Sequence, residues 1–431
     1  MADHDPVESE PSRSDGSSAS ATHPSSGAGR FTRRGLLTGA GATAAGLVVG
    51  AGGGWVVRER LMPAGPTSAD AVVTGDETVA FYGRRQAAVE APAPAHVGYL
   101  GFTLRPETGV EQLRRALRII SDDASRLTRG VPSLAMSDPD LATPAARLTV
   151  TIGFGARVFE LAGRTPPPGV GGLPAFSIDR LRPEFSGGDL LLMIGCDDPI
   201  TLSHTERVMI KNMRFFATVA WRQQGFQRAR HSEPPTATPR NLFGQKDGTV
   251  NPRPGTDAFE QQVWGASGGF APWAENGTTL VLRRIRMNLE TWDEVDPVGR
   301  ENSIGRRLGS GAPLTGTDEF DEPDFDAKNS VGFPVIDLAA HMRRARQADG
   351  RVRILRRGYS YDDGVDAEGV ADVGLLFGAW QADIMQQFVP VQQSLADMDL
   401  LNQWTVPIGS AAFAIPPGCD VGGYVGETVL G

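Results

Sequence analysis

Cysteine is scarce in this chain: Cys196 and Cys419 are the only two in 431 residues. That excludes a disulfide-stapled scaffold, and their separation excludes a metal knuckle. They can form one bridge, although two buried thiols are the expectation. Positive charge is not in excess either. The formal net charge is -9 and the pI near 5.3, and no basic stripe runs through the part expected to fold, which argues against a nucleic-acid partner. Histidine is rare, with six in all, and only His341 lies beyond residue 231. No short-period repeat occurs. What is present is 40% apolar residues, enough to build cores for two or three globular domains.

The first 30 residues are rich in Ser, Pro, Asp and Gly, a composition that buries too little apolar surface to offset the cost of ordering, so disorder is expected there. Thr32-Arg33-Arg34-Gly35-Leu36-Leu37 follows, ahead of a glycine-rich apolar run that ends near Trp55-Val56-Val57. Paired arginines before a weakly hydrophobic core resemble a twin-arginine export signal. A single membrane anchor is the alternative, since the run is long enough to span a bilayer. Ala69-Asp70-Ala71 offers a small-x-small cleavage site. Twin-arginine export carries folded proteins, which implies a cofactor loaded before crossing. The expected organisation is a leader over 1–71, a first domain over 72–225 and a second over 226–431.

In the mature chain, His96 to Leu104 alternates like a strand, and Val110, Leu113, Leu117, Ile120 and Leu127 recur at helical spacing after it. Strands are expected at Leu148 to Phe154 and Asp189 to Cys196, with a Pro-rich loop over Thr165 to Gly172 between them. A second helix is expected over Ser203 to Gln224, carrying Val208, Met209, Met213, Phe216 and Ala220. The order is close to a split βαβ, or ferredoxin-like, unit. The pattern recurs with larger insertions: a strand at Thr278 to Leu289, a helix at Thr291 to Leu308, an acidic loop at Gly309 to Asp326, strands at Val352 to Tyr361, Ala371 to Trp380 and Ala411 to Ile415, and a helix over Asp383 to Gln403. The fold class is therefore α+β, with antiparallel sheets, flanking helices and two copies of one architecture.

Four stretches carry chemistry. Gly244-Gln245-Lys246-Asp247-Gly248 is by itself a turn, because Asp-Gly favours positive φ. His341, in Leu338-Ala339-Ala340-His341-Met342-Arg343-Arg344, is by itself a histidine on a partly apolar helix, usually structural. Ile354-Leu355-Arg356-Arg357-Gly358-Tyr359-Ser360-Tyr361 delivers an arginine beside a glycine break. In Val373-Gly374-Leu375-Leu376-Phe377-Gly378, Leu375 and Phe377 share one strand face.

Taken together and in this order, with Gly-Ser-Ala-Ala-Phe-Ala-Ile-Pro-Pro-Gly closing at 409–418, these stretches resemble the dye-decolorising haem peroxidases over about residues 90–420. The likeness is strongest to the exported bacterial branch, which includes deferrochelatases of iron uptake. It implies two ferredoxin-like domains of the dimeric α+β barrel type, with one b-type haem held mainly by the second. His341 then matches the proximal iron ligand, Asp247 the distal acid and Arg356 the distal arginine. Gly248, Thr249 and Val250 match the segment along the haem edge, Arg346 a propionate-binding arginine, and Asp399 the acid that accepts a hydrogen bond from the proximal histidine. Leu375 and Phe377 are expected to wall the distal pocket. Gln245 departs from the aromatic residue often found there in the family.

Such a set implies reduction of hydrogen peroxide and oxidation of an organic electron donor, with turnover favoured in acid because an ordinary aspartate is ionised above about pH 4. An iron-handling role, with iron-uptake partners, is the alternative. Export to the cell envelope or beyond is expected, no nucleic acid is, and a homo-oligomer stays open.

Overall fold

The computed structural model describes residues 74–134, 136–264, 271, 274–346 and 353–431. The expected disordered leader, the twin-arginine stretch and the cleavage site at 69–71 lie outside them. The elements run β1 (His96–Leu104), α1 (Val110–Leu127), β2 (Thr149–Phe154), α2 (Ala156–Leu161), β3 (Leu190–Cys196), α3 (Pro199–Met213), β4 (Ala217–Phe226), α4 (Asp257–Val263), β5 (Thr278–Met287), α5 (Leu289–Asp293), α6 (Pro297–Ile304), α7 (His341–Arg344), β6 (Leu355–Val365), β7 (Ala371–Gln381), α8 (Val389–Met398) and β8 (Thr405–Ile415).

All strand pairings are antiparallel, and they close into one ring in the order β1-β3-β2-β8-β5-β7-β6-β4. Each half of that ring has its outer strands wrapped around a central pair in the ferredoxin-like arrangement, so the α+β expectation holds. The halves meet edge to edge through single residue pairs, Phe154 with Ala414 and Phe226 with Ser360.

Strand β3 explains how the ring is filled. Its seven residues Leu-Leu-Leu-Met-Ile-Gly-Cys are all buried, because both faces are covered. Leu190, Leu192 and Ile194 face a helix-side core with Leu113, Leu117 and Ile120 of α1. Leu191 and Met193 face the ring interior, where they join Tyr99 and Trp221 of the first half with Leu280, Tyr359, Leu376 and Trp380 of the second. A strand buried on both faces reads as a continuous apolar run rather than an alternation. Gly101 on β1 lies against the Trp221 ring, where a Cβ would come within 2.2 Å. Cys196 and Cys419 are free and buried, as expected, and burial pushes their thiols up to about 12 and about 11.

Three helical expectations are corrected. The helix expected over Ser203 to Gln224 ends at Met213, and Ala217–Phe226 is β4; Phe216 and Ala220 continue the apolar spacing only by coincidence. Asp198 starts α3 by accepting from Thr201 N at 2.7 Å, with Pro199 in the first turn. The helix expected over Thr291 to Leu308 is α5 and α6, separated where Asp296 accepts from Gly299 N and Pro297 opens a new helix. Gly305, with φ at 87°, ends α6. The helix expected over Asp383 to Gln403 is a π-helical turn, α8 and a 3₁₀ turn in series.

Candidate functional site

Asp247 sits on the connection between β4 and α4, on a loop the sequence folds tightly. Asn241 Oδ1 accepts from Phe243 N and Gln245 N, Gly244 takes φ of 74°, and Arg240 and Lys246 pair as an isolated bridge. Asp247 N then donates to Pro239 O at 2.9 Å, and Gly248 turns the chain away with φ of 116°. A solvated surface acid is not what results. Asp247 Oδ1 is buried with no hydrogen-bond donor. Arg356 Nη1 lies 3.1 Å from it, an ion-pair contact without hydrogen-bond alignment.

Arg356 enters from the start of β6. Because side chains alternate along a strand, Arg357 points the other way, and its guanidinium donates to the carbonyls of Ala88, Val89 and Ala91. The backbone of Arg356 is held by Asn251, whose Nδ2 donates to Arg356 O at 2.7 Å and whose Oδ1 accepts from Arg356 N at 3.1 Å. One side-chain amide thus takes the place of a neighbouring strand and ties the Asp247 loop to the strand that carries Arg356.

His341 opens the single-turn helix α7, which is anchored by Arg343 donating to the carbonyls of Phe325 and Ile336 and by Arg344 donating to that of Ser394. Its Nδ1 lies 2.6 Å from Asp399 Oδ2, while Asp399 Oδ1 caps the following 3₁₀ turn at Leu401 N. Burial disfavours a charged imidazole here, but the adjacent carboxylate outweighs it and raises the His341 pKa above its usual value. With Nδ1 engaged, Nε2 is the nitrogen left for a ligand.

A cleft that opens to solvent brings several of these groups together: His341, Arg356, Thr249, Val250 and Arg346 all line it. Arg346 also pairs with Glu322. Five expected residues stand apart from its walls: Asp247, Gly248, Leu375, Phe377 and Asp399. Gly248 serves the turn. Asp247 and Leu375 border a separate small recess with Gly358 and Ser360, and Asp399 backs His341. Phe377 packs into the apolar cluster of Met287 and Trp292. Sequence reading missed Lys246, Arg306 and Arg353, which add three cations to the lining, and Ile304, Phe325 and Met342, which add apolar surface. Arg306 was hidden inside the span read as one helix, and it is fixed by donating to Gly311 O and Glu319 O.

Family models agree with this layout. Residues 86–227 match the N-terminal domain of Dyp-type peroxidases and residues 238–420 the C-terminal domain. The dye-decolorizing peroxidase of Thermobifida fusca is 37% identical over 421 residues, covering 93% of this chain and 97% of its own. The chain belongs to the Dyp-type peroxidase family. A deferrochelatase of Yersinia pseudotuberculosis is 32% identical, covering 93% and 95% of the two chains. Among solved structures, a DyP-type peroxidase from Cellulomonas bogoriensis superposes with a TM-score of 0.80 at 43% identity, covering 83% of this chain and 99% of that one. DtpA from Streptomyces lividans, in an oxyferrous/water mixed complex, gives 0.78 and 38%, with coverage of 83% and 99%.

As a Dyp-type peroxidase the chain is a haem enzyme that consumes hydrogen peroxide and an electron donor, and haem b is its cofactor. The residues present fit that group. An imidazole with one nitrogen held by a carboxylate would suit binding of iron through the other. The apolar and cationic lining suits a flat macrocycle with two carboxylates, and Asp247 Oδ1, next to Arg356, is a buried acceptor without a hydrogen-bond donor.

Proposed function

We propose that Asp247 carries the proton in peroxide cleavage, that Arg356 stabilises the anionic oxygens, and that His341, backed by Asp399, holds the haem iron. The observation that carries this reading is Asp247 Oδ1, buried, without a hydrogen-bond donor and 3.1 Å from Arg356 Nη1. Haem supplies the iron at which the O–O bond is broken and the oxidising equivalents that the donor later removes. Asp247 Oδ1 takes the proton from the near oxygen of peroxide and returns it to the far one, so water leaves instead of hydroxide. Arg356 is cationic at every working pH and offsets negative charge as it grows on the departing oxygen. Thr249, Val250 and Arg346 line the cleft and would hold the edge of the group, Arg346 as a partner for a propionate.

The donors are dyes, phenols or other organic one-electron reductants, which react at the rim of the cleft or through exposed aromatic residues. Rapid mixing of peroxide with Arg356→Leu tests the reading: haem is kept and the bimolecular reaction slows about 100-fold or more. A wild-type rate would remove Arg356 from the mechanism. His341→Ala is expected to lose haem or its five-coordinate spectrum.

The likeness to a deferrochelatase supports a second reading, an exported protein that releases iron from haem for iron-uptake partners. Recovery of intact porphyrin and free iron from the haem-loaded protein, measured against turnover with peroxide and dye, separates the two. Export by the twin-arginine route to the periplasm, envelope or exterior is supported by Arg33-Arg34 and the apolar run after it. A division of the chain near residue 226 is supported by the family models meeting between 227 and 238.

A further inference from the structure

Glu319 lies in the acidic stretch that reads as an ordinary surface loop, yet only 8% of its side chain is exposed. Its Oε1 accepts from Thr238 Oγ1 at 2.5 Å and from Thr249 Oγ1 at 3.0 Å, and its Oε2 accepts from the Lys246 ammonium. These three donors bracket Asp247 on both sides in sequence. Burial alone would raise the Glu319 pKa, but Lys246 and the two hydroxyls more than offset it and hold the carboxyl below its usual range. The arrangement is packed in as well as bonded. Gly311, at φ of 78°, lies so close that a Cβ there would come within 2.7 Å of Lys246 Cδ and 3.5 Å of Glu319 Cγ. The Glu319 carbonyl also accepts from Arg306 Nη1 at 2.9 Å, which joins the acid to the wall of the cleft.

We propose that Glu319 is a positioning residue for the peroxide pocket: it fixes the loop over 238–249 so that Asp247 stays opposite Arg356, and it holds the Lys246 ammonium away from the Asp247 carboxylate. Lys246 is the immediate neighbour of Asp247, and without Glu319 its ammonium is free to pair with that carboxylate. A second cation on Asp247 would compete for the oxygen that has to accept the peroxide proton. Arg356, 3.1 Å away, cannot be displaced as easily, because Asn251 holds its backbone. The inference rests on the reading of Asp247 as proton carrier.

The test compares the haem-loaded wild type with Asp247→Asn, Glu319→Gln and Glu319→Gln/Lys246→Met. Cyanide association with the ferric protein is followed by rapid mixing, since hydrogen cyanide must also give up a proton in the pocket. Amide hydrogen exchange over residues 238–251 is measured alongside kcat and KM for one dye. Glu319→Gln is expected to slow cyanide association about tenfold or more, to speed exchange over 238–251 and not elsewhere, and to lower kcat with the dye KM unchanged. Glu319→Gln/Lys246→Met is expected to recover part of the cyanide rate while exchange stays fast.

Wild-type cyanide rates and wild-type local exchange in Glu319→Gln, with Asp247→Asn slow, would overturn the role of Glu319 and leave Asp247 standing. Wild-type rates in Asp247→Asn would overturn the reading of Asp247 first. If Glu319→Gln is not recovered folded, Thr238→Val/Thr249→Val removes the two neutral donors and keeps the ion pair. It should give the same local loosening, and unchanged exchange and cyanide rates there would equally refute the inference.

Discussion

Asp399 Oδ2 holds His341 Nδ1 at 2.6 Å while its Oδ1 is fixed by the backbone at Leu401, so on the proposed reading Asp399 governs how strongly His341 binds iron. Asp399→Asn should therefore leave the fold intact and weaken haem retention by about 10–100-fold, measured as transfer of haem to an acceptor globin. Asn251→Ala removes both hydrogen bonds to the Arg356 backbone. We expect it to keep haem and to slow the reaction with peroxide about tenfold, a loss of roughly one net hydrogen bond in alignment. The contacts of Asp247 with Arg356 and of His341 with Asp399 join residues that the sequence singles out, because each stands in a short run whose order along the chain is distinctive. Asn251 and Glu319 were not singled out, because what they do depends on partners up to 105 residues away, and nothing in their own neighbourhoods marks them.

Elements were legible where one face is buried and less so where a turn interrupts an apolar spacing. α1 reads correctly because Leu113, Leu117 and Ile120 form a single buried stripe. The span from Ser203 onward misled because Val208, Met209 and Met213 of α3 are followed, across a three-residue turn, by β4, whose own burial alternates. The stretch over 309–326 reads only as an acidic loop, yet it delivers Glu319 to Lys246. That connection has a pH signature. The Glu319 pKa is lower in the folded chain than the 4.5 of an ordinary glutamate, so the unfolded state binds its proton first as pH falls. Glu319 therefore adds stability above about pH 4.5, and the contribution is lost as pH drops through the folded value. Denaturant midpoints taken across the acid range should fall more steeply for wild type than for Glu319→Gln.

The ring is a property of the whole chain. Its two seams are single residue pairs, but the interior behind them is shared, with Tyr99, Met193 and Trp221 packed among Leu280, Tyr359, Leu376 and Trp380. A segment carrying only residues 238–431 would expose that surface, so it should not show a cooperative unfolding transition or hold haem, whereas residues 74–431 should unfold in one step by circular dichroism. Gly101→Ala drives a methyl into the Trp221 ring at the centre of the shared interior and should cost about 1–3 kcal/mol. Repetition of one architecture could be read from residue patterns; closure into a barrel came only with the family resemblance, since residue periodicity reports a buried face and not what covers it. The grip of Arg357 on the carbonyls of Ala88, Val89 and Ala91 belongs to this scale too, as does Gln86, whose amide reaches Ile152 O and Pro416 O. Trimming the front of this chain past Arg85 would therefore loosen, from a distance, the strand that carries Arg356.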